Sequence, residues 1–422
     1  MSYLLNCRHL HERSTAAPLH RSAAAAPLTL ALIEVDDFPL LNVRHGHAFG
    51  ALFLEHLRQT LQEELGDRGE FLHLEGASLA LLLPGAPIAE AIRIARRLVD
   101  AVASLRVMTS DWQMVAATVS IGLASATEHG VGSEELSAVA EKMLARVQEQ
   151  GGDSLALPEE ADIAAIRQQQ RRLGHCLEQA LLQGSTLPYL QPICHLGDGH
   201  PLGHEVLMRI PDDDQRMIPA AEFVNDPEYA VALRGLDLAL MAKSLDLLAE
   251  LPNSGSLFFN LTLAALQDED FLAAVTTLVD EHGIAPERLV IEIRARELTA
   301  DSVIPTLLPF FNAWRQAGFR LSVDDFADSP EALSRLAELP LSYLKLRQGY
   351  VASLSADPAA MLYLDGLLRA ADAAGIKAVA SFVENAELAV WCRTLGFEYG
   401  QGYFLGAPVP GTFSCFTIGE GS

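Results

Sequence analysis

The second half of the chain repeats one pattern: a short apolar run of strand length, a polar residue, and then a longer stretch with helical spacing. The runs occupy residues 187–192, 201–207, 256–259, 289–293, 319–323, 343–346, 378–383 and 397–399. Alternation of this kind predicts βα units and a mostly parallel sheet. Eight such units within about 240 residues match the size of one (β/α)8 barrel, so the pattern predicts that fold.

Each run carries, or is followed by, a polar side chain at its carboxyl end. These side chains are Gln191, Glu205, Asn260, Glu292, Asp324 with Asp325, Lys345, Glu384 and Gln401. One such residue alone is usually a solvated loop starter or a helix cap. In a (β/α)8 barrel, however, the carboxyl ends of the strands meet at one face and build the active site. The whole set therefore predicts a ligand site at that face.

The first half of the chain has an α/β pattern of its own. Strand-like runs at 28–35, 71–73, 79–83 and 115–123 alternate with helical spacing at 48–65, 88–105 and 133–150. Residues 27–158 therefore predict one compact α/β domain. We interpret residues 1–26 as a flexible N-terminal lead, since their apolar part is mostly alanine with scattered arginines, unlike a signal peptide. Residues 159–172 predict a linker, and residues 173–415 the barrel.

Composition excludes two classes of function. The net charge of −25 argues against general nucleic-acid binding, which needs a basic face. No apolar run reaches the roughly 18 residues of a membrane span, so we expect no membrane insertion. The five cysteines form no CxxC pair and no regular framework, which favours a reducing, cytoplasmic location.

The motifs of the second half resemble those of the EAL family, phosphodiesterases that open cyclic di-GMP. The resemblance covers roughly residues 173–412, and the motifs follow the family's order: LQPICHL, GHEVLMRI, FFNLTLAAL, VIEIRARE, LSVDDF, YLKL, FVENAEL and GQGYFLGAPVP. It implies a hydrolysis in which metal ions polarise the phosphate and a base positions the water. By the family pattern, the metal ligands would be the oxygens of Glu205, Asn260, Glu292, Asp324 and Asp325.

Several departures from the EAL pattern concern the same reaction. Ser381 stands at the position of the family's catalytic glutamate, and a serine hydroxyl is far too weakly basic to replace a carboxylate. Ala295 replaces a glutamate that would tether the mobile loop after Asp325, and that loop reads FADSPE. Arg347 stands where the family usually has aspartate. These changes predict a barrel that does not hydrolyse cyclic di-GMP.

The first half more faintly resembles the GGDEF family, the diguanylate cyclases, through IEVDDFPLLNVRHGHAFGA, VSIGLAS and Gly151-Gly152. The segment Glu75-Gly76-Ala77-Ser78-Leu79 lacks both acids of the family's turn, and Ala51 replaces a guanine-reading acid. Glu34 and Asp36 could still hold a cation, and Asn42 a guanine. The fold class is therefore a GGDEF-like α/β sandwich domain followed by an EAL-type (β/α)8 TIM-like barrel. We expect the first domain to be a scaffold without cyclase activity, with residual GTP binding as the alternative.

The retained and lost groups together resemble FimX-type EAL domains, which bind cyclic di-GMP without cleaving it and also carry an EVL triplet. The resemblance implies a ligand site of Gln191, Glu205, Leu207, Arg209, Asn260, Asp324, Lys345, Phe382, Glu384 and Gln401. The expected function is a sensor or adaptor that relays the ligand state to an unidentified protein partner. By analogy that partner would be a PilZ-like adaptor or a motor protein, and a homodimer is a further candidate. The alternatives are a weak metal-dependent phosphodiesterase and a scaffold that binds no nucleotide.

The charge of the candidate site leaves the metal question open. Glu205, Glu292, Asp324 and Asp325 would converge near a ligand with two negative phosphates, and Lys345 alone cannot neutralise them. Either Mg²⁺ or Mn²⁺ intervenes, or the phosphates shift toward Arg209 and binding needs no metal.

Overall fold

The computed structural model describes residues 28–45, 47–66, 68–73, 77–109, 112–224, 229–249, 255–298, 303–326, 330–347 and 358–411. The N-terminal lead, the Glu75-Gly76 pair and residues 327–329 of the FADSPE loop lie outside this part. The chain divides into two compact units, the first ending at Gly174 and the second beginning at His175. The domain limits that the sequence suggests stay predictions.

The first unit contains one five-stranded sheet with helices around it. Its strands are β1 (Leu28–Val35), β2 (Glu70–His73), β3 (Ser78–Pro84), β4 (Val107–Met108), β5 (Met114–Val115), β6 (Val119–Ser125) and β7 (Ser154–Ala156). Its helices are α1 (Phe38–His45), α2 (His47–Leu65), α3 (Ile88–Ser104) and α4 (Ser133–Glu149). The sheet order is β2-β3-β1-β6-β7, and β4 pairs with β5 in a separate hairpin.

Strand alternation in β1 explains why this sheet is covered on both faces. Ile33 belongs to one buried cluster together with Leu61 of α2 and Leu98 of α3. Leu32 belongs to a second cluster together with Leu136 of α4. Successive side chains of a strand point to opposite faces, so the unbroken apolar run fills both layers of an α/β sandwich.

One predicted strand of this unit, at residues 115–123, is wrong as a single element. The structure ends β5 at Val115 and begins β6 at Val119, because β5 pairs with β4 and β6 belongs to the central sheet. Between them, the Thr118 carbonyl accepts a hydrogen bond from the Asp36 amide instead of continuing a strand ladder. A β-branched run of this kind does not reveal where the chain passes from one sheet to another.

The strands of the second unit are β8 (Leu187–His195), β9 (Pro201–Pro211), β10 (Met217–Pro219), β11 (Ser256–Asn260), β12 (Leu289–Arg294), β13 (Arg320–Phe326), β14 (Tyr343–Leu346), β15 (Lys377–Ser381), β16 (Tyr399–Gln401) and β17 (Val409–Pro410). Helix α5 (Glu160–Gln183) begins in the first unit and ends in the second, whose other helices are α6 (Ala230–Ala249), α7 (Leu263–Leu266), α8 (Glu269–Glu281), α9 (Val303–Gln316), α10 (Pro330–Leu336), α11 (Pro358–Ala373) and α12 (Ala386–Leu395). Short 3-10 helices cover Ala220–Glu222, Pro286–Arg288 and Ala295–Leu298. Helix α5 continues through the point where the two units divide.

Eight of these strands close a barrel, in the order β9-β11-β12-β13-β14-β15-β16-β8, with β8 paired to β9. The predicted (β/α)8 barrel is confirmed. Strand β8 runs antiparallel to both of its neighbours, whereas the pairs from β9 through β16 are parallel.

None of the helices in the described part of the chain has both the length and the hydropathy of a membrane span.

Candidate functional site

The barrel interior changes from apolar to polar along the strands. Val290, Tyr343 and Val379 belong to a buried apolar cluster inside the barrel. Glu292, Lys345 and Ser381 follow these residues by two positions on the same strands, so strand periodicity places them on the same inward face. The carboxyl ends of the strands therefore hold a polar layer above an apolar plug.

Lys345 is at the centre of this polar layer. Its ammonium Nζ lies 2.8 Å from Glu205 Oε2 and 2.7 Å from Glu292 Oε2. The Lys345 side chain is 1% exposed and that of Glu292 is 0% exposed. Ser322 Oγ donates to the second oxygen of Glu292 at 3.0 Å. One buried cation is thus shared by two buried carboxyl groups.

Amide side chains complete the surroundings of Glu205. Asn260 Nδ2 donates to Glu205 Oε1 at 2.7 Å, and Gln401 Nε2 donates to Glu205 Oε2 at 2.7 Å. Gln401 Nε2 also lies 3.1 Å from Gln191 Oε1, and Gln191 Nε2 donates to the Gly406 carbonyl at 3.2 Å. Residues from β8, β9, β11 and β16 therefore meet in one network, as the strand-end pattern predicts.

The pKa values in the polar layer are set by two effects, the burial of the groups and the contacts between Lys345 and the surrounding acids. Burial would raise the pKa of Glu205, but Lys345 and the two amides outweigh it and hold the pKa below its usual value. Burial raises the pKa of Glu292 to about 8, and it also raises the pKa of Asp324. Burial would lower the pKa of Lys345, yet the surrounding acids outweigh it and raise that pKa. At neutral pH, Glu205 and Lys345 are therefore charged, and Glu292 and Asp324 take up a proton more readily than exposed carboxyl groups do.

A cavity of about 260 Å³ opens beside this layer, between β9, β11 and helix α6. Its polar walls include Glu205, Arg209, Asn260, Arg294 and Asp324, and its apolar walls include Leu207, Leu233, Leu240 and Met241. The Arg209 guanidinium lies over the Tyr189 ring, 5.3 Å from its centroid. An apolar slot with a few convergent polar groups is the usual form of a small-molecule site.

Asp237 also lines this cavity, and the sequence analysis missed it. It lies within helix α6, where one acid among apolar residues looks like an ordinary surface position. Burial raises the pKa of Asp237 to about 8. No hydrogen bond to its carboxyl group is found among the described residues.

Two arginines stand next to the predicted metal ligands. Arg347 Nε donates to Asp325 Oδ1 at 3.1 Å, and its Nη2 lies 3.4 Å from Asp325 Oδ2. Asp325 has a left-handed backbone, with φ of 60°, where the register between β13 and β14 shifts between Val323 and Phe326. Arg294 ends β12 directly beside Asp324 of β13.

The family of the chain follows from this barrel and its site. A family model described as "EAL domain" matches residues 175–408. The chain belongs to the EAL domain family. A second model, "Diguanylate cyclase, GGDEF domain", matches residues 1–154, so the protein is a GGDEF–EAL tandem.

Relatives with both parts are distant. The chain is 25% identical to the uncharacterized protein y4lL of Sinorhizobium fredii, over 92% of this chain and 46% of that protein. It is 24% identical to the cyclic di-GMP phosphodiesterase PdeB of Shewanella oneidensis, again over 92% and 46%. The chain thus spans about half the length of these relatives. The EAL domain of Pseudomonas aeruginosa FimX, solved with c-di-GMP bound, is 26% identical with a TM-score of 0.51, covering 56% of this chain and 96% of that domain.

The EAL barrel brings the five predicted metal ligands to one face, but with partners that do not suit a metal. Glu205 and Glu292 surround the Lys345 ammonium, and Asn260 turns its amide nitrogen, which cannot bind a cation, toward Glu205. Asp325 is paired with Arg347. Among the described residues, no group of three His, Cys, Asp or Glu is arranged to hold a metal ion. A divalent cation does not fit this arrangement.

The end of strand β15 carries the other predicted site residues. Ser381 pairs in register with Gln401, so the EAL base position lies at the edge of the Glu205 network. Phe382 follows with φ of 61° and a side chain that is 41% exposed, which excludes a core position for its ring. Glu384 is exposed and does not line the cavity. Its role in binding stays a prediction.

A left-handed backbone is costly for a bulky residue such as Phe382. The positive φ breaks strand alternation, so the side chain after the inward-facing Ser381 does not turn to the outer helices. Strict alternation would have predicted a buried ring.

In the GGDEF domain, one of the two candidate cation ligands is already fully engaged. Asp36 accepts hydrogen bonds from Thr118 Oγ1 at 2.6 Å and from the Asp153 amide at 2.9 Å, and Ser120 Oγ donates to its other oxygen at 2.5 Å. Gly152 has φ of +77°, and a Cβ there would lie 2.7 Å from this carboxyl group. Asp36 therefore anchors the end of the domain.

Glu34, Ala51 and Asn42 are the other residues of the GGDEF domain that the sequence analysis singled out. Glu34 Oε2 accepts a hydrogen bond from Gln148 Nε2 at 2.9 Å. Ala51 lines a second cavity of about 240 Å³ together with Glu55 and Arg58. The Asn42 side chain lies outside the described residues, so its predicted guanine contact stays a prediction.

Proposed function

We propose that this chain is a cyclic di-GMP receptor without cyclase or phosphodiesterase activity, which relays the ligand state to a protein partner. The observation that carries the proposal is the pairing of the acids: Lys345 is shared by Glu205 and Glu292, and Arg347 holds Asp325. These contacts leave a polar mouth that can hold a phosphodiester without carboxylates arranged to activate water. Ser381 at the base position supports the same reading, since its hydroxyl cannot accept the proton of an attacking water.

The cavity suits one guanine of the ligand. Leu207, Leu233 and Leu240 give flat apolar walls for a base, and Arg209 brings a positive charge to its mouth. A guanine presents N1–H and N2–H donors side by side, and the two oxygens of Asp237 accept both when the ligand holds its carboxyl group in the ionised form. We therefore assign Asp237 to base recognition, and Arg209 to the phosphate or to the second guanine.

The proposal is tested by calorimetry of the purified chain with cyclic di-GMP, followed by chromatography of the recovered nucleotide. We expect saturable binding and intact cyclic di-GMP. Cyclic di-AMP is the matched control, because adenine lacks the N1–H and N2–H donors, and it should bind much more weakly. The proposed binding would be wrong if neither nucleotide gave a signal.

The activity prediction concerns Ser381. We expect no Mg²⁺- or Mn²⁺-dependent appearance of linear pGpG from the wild-type protein. Ser381→Glu should restore little activity, because Asp325 stays paired with Arg347 and Ala295 cannot tether the loop. Chromatography after long incubation measures both. Metal-dependent pGpG from the wild type would favour the alternative, a weak phosphodiesterase, for which the likeness to PdeB is the supporting observation.

The binding prediction concerns Phe382. Because its ring is half-exposed at the mouth, we propose that it stacks on a guanine. Base–aromatic stacking is worth about 1–3 kcal/mol, so Phe382→Ala should weaken cyclic di-GMP binding by about 5- to 150-fold. The melting temperature should hardly fall, since the ring is not in the core. Phe404→Ala is the control for a general loss of apolar surface: the Phe404 ring is 50% exposed, and its amide donates to the carbonyl of Val383, next to Phe382. Unchanged affinity of Phe382→Ala would exclude stacking.

The proposed relay needs a protein partner. A PilZ-like adaptor, a motor protein or a second copy of this chain would each meet the relay function, and a cytoplasmic location fits all three. Pull-down from a cell lysate with and without cyclic di-GMP, with sedimentation of the isolated chain, separates these candidates. A scaffold that binds no nucleotide would show the same partners in both conditions.

A further inference from the structure

The candidate site carries more cations of its own than the strand-end pattern indicates. Four acids meet at the mouth, namely Glu205, Glu292, Asp324 and Asp325, and a cyclic dinucleotide brings two further negative phosphates. Like charges repel strongly in a partly dehydrated site, so a ligand of this kind needs positive charge from somewhere. Lys345 is one source, and two arginines are the others.

Arg347 has the geometry of a fixed counter-charge. Its Nε and Nη2 face the two oxygens of Asp325 at 3.1 and 3.4 Å, which is the paired arrangement that a planar guanidinium favours with a carboxylate. The irregularity in β13 and the φ of 60° at Asp325 turn that carboxylate out of the regular strand. The Arg347 amide also donates to the Phe326 carbonyl at 2.8 Å, which fixes the base of the arginine against the same strand.

Arg294 has the geometry of a ligand contact. It follows Glu292 by two positions on β12, so strand periodicity directs it to the same inward face, one step nearer the mouth. It is in register with Asp324 and lines the cavity together with Asn260. An anionic group that enters the cavity beside Asp324 therefore comes next to Arg294.

We propose that Arg294 and Arg347 take the place of divalent cations in this barrel. Arg347 neutralises Asp325 permanently, and Arg294 binds a phosphate of the ligand beside Asp324. This inference rests on the proposed binding of cyclic di-GMP, and it adds that binding needs no metal ion. Of the two alternatives that the sequence left open, it favours the metal-free one, and it adds Arg294 and Arg347 to Arg209 as cations of the site.

The test compares cyclic di-GMP affinity in excess EDTA and in Mg²⁺ for four proteins: the wild type, Arg294→Gln, Arg347→Ala and Arg320→Gln. Wild-type affinity should be the same in both buffers. Arg294→Gln should bind about 10- to 100-fold more weakly in both, since a charge-assisted contact to phosphate is lost. Arg347→Ala should bind weakly in EDTA and recover in Mg²⁺, because the released Asp325 then takes a metal ion. Arg320, at the other end of β13 and bonded to Tyr343 Oη, is the control and should change nothing.

A second measurement does not depend on the nucleotide. The electron paramagnetic resonance signal of free Mn²⁺ should persist when the ion is mixed with the wild-type protein. It should fall with Arg347→Ala, because we expect this variant to bind Mn²⁺ at least about 10-fold more tightly. Circular dichroism confirms that each variant is folded. If the wild type binds no cyclic di-GMP but the Mn²⁺ result holds, the proposed function fails and the role of Arg347 stands.

Three results would overturn the inference. The first is loss of wild-type affinity in EDTA, which would restore the metal. The second is Mn²⁺ binding by the wild type that Arg347→Ala does not improve. The third is unchanged affinity of Arg294→Gln in both buffers, which would remove Arg294 from the phosphate site.

Discussion

Lys345→Met should lower the stability of the EAL barrel by about 3–5 kcal/mol, the range for removing one partner of a buried ion pair. The side chain is 1% exposed and holds Glu205 and Glu292 together at 2.8 and 2.7 Å. Methionine fills similar space, so the loss is chiefly electrostatic: two buried acids are left without their cation. For a domain of this size we expect the melting temperature to fall by about 6–20 °C.

Lys377→Met is the matched control for that experiment. Lys377 is on the neighbouring strand β15 and pairs with Glu398 at 2.6 Å, but both side chains are exposed, by 52% and 39%. An exposed pair contributes about 0–1 kcal/mol, so this variant should melt close to the wild type. Urea unfolding followed by tryptophan fluorescence measures both. Equal, small losses for the two lysines would mean that Lys345 is not the electrostatic centre of the barrel.

Asp237→Asn should stabilise the protein at pH 8 and leave it nearly unchanged at pH 4. The ordinary pKa of 3.8 applies in the unfolded chain, whereas burial raises the folded value to about 8. Between these values the folded state binds more protons, so the stability of the wild type falls as pH rises. Four pKa units correspond to about 5 kcal/mol. Since the carboxyl group borders an open cavity, we expect a smaller difference, about 2–4 kcal/mol.

Asp246→Asn on the same helix separates this effect from a general change of helix charge. Asp246 is 74% exposed and lies 3.3 Å from His282, so its removal should give no comparable gain at pH 8. Melting curves of both variants at pH 4, 6 and 8 give the comparison. A wild-type melting temperature that runs parallel to that of Asp237→Asn across this range would mean that the Asp237 pKa is ordinary.

The sequence predicted the barrel and most of its polar layer because both depend on local signals. Strand length, apolar runs and a polar residue at each carboxyl end survive in a single chain, and barrel closure then brings Gln191, Glu205, Asn260, Lys345 and Gln401 together. The direction of β8 did not follow from these signals. Strand β8 is joined to β9 by a short connection from His195 to Pro201, and two strands joined in this way pair antiparallel. The strand-end pattern did not use this connection, although it is present in the sequence.

The features that the sequence missed depend on long-range geometry or on unusual backbone. Asp237 lies in the middle of a helix, so only the folded position of α6 shows that it faces the cavity. Arg347 was recognised as a departure from the family, but its pairing with Asp325 depends on an irregularity in β13. The sequence analysis gave Asp36 only a cation role, because its partners Thr118 and Ser120 lie 82 and 84 residues further along the chain.

Stability and ligand binding favour different residues at position 382. Glycine adopts the φ of 61° at this position readily, whereas for phenylalanine this backbone conformation costs about 1–3 kcal/mol of stability. A library of variants at this position, sorted only for resistance to heat or protease, should therefore enrich glycine and discard the natural residue. The same library sorted for capture of cyclic di-GMP should return phenylalanine or another aromatic. Opposite residues in the two sorted populations would show that the natural Phe382 lowers stability and strengthens ligand binding.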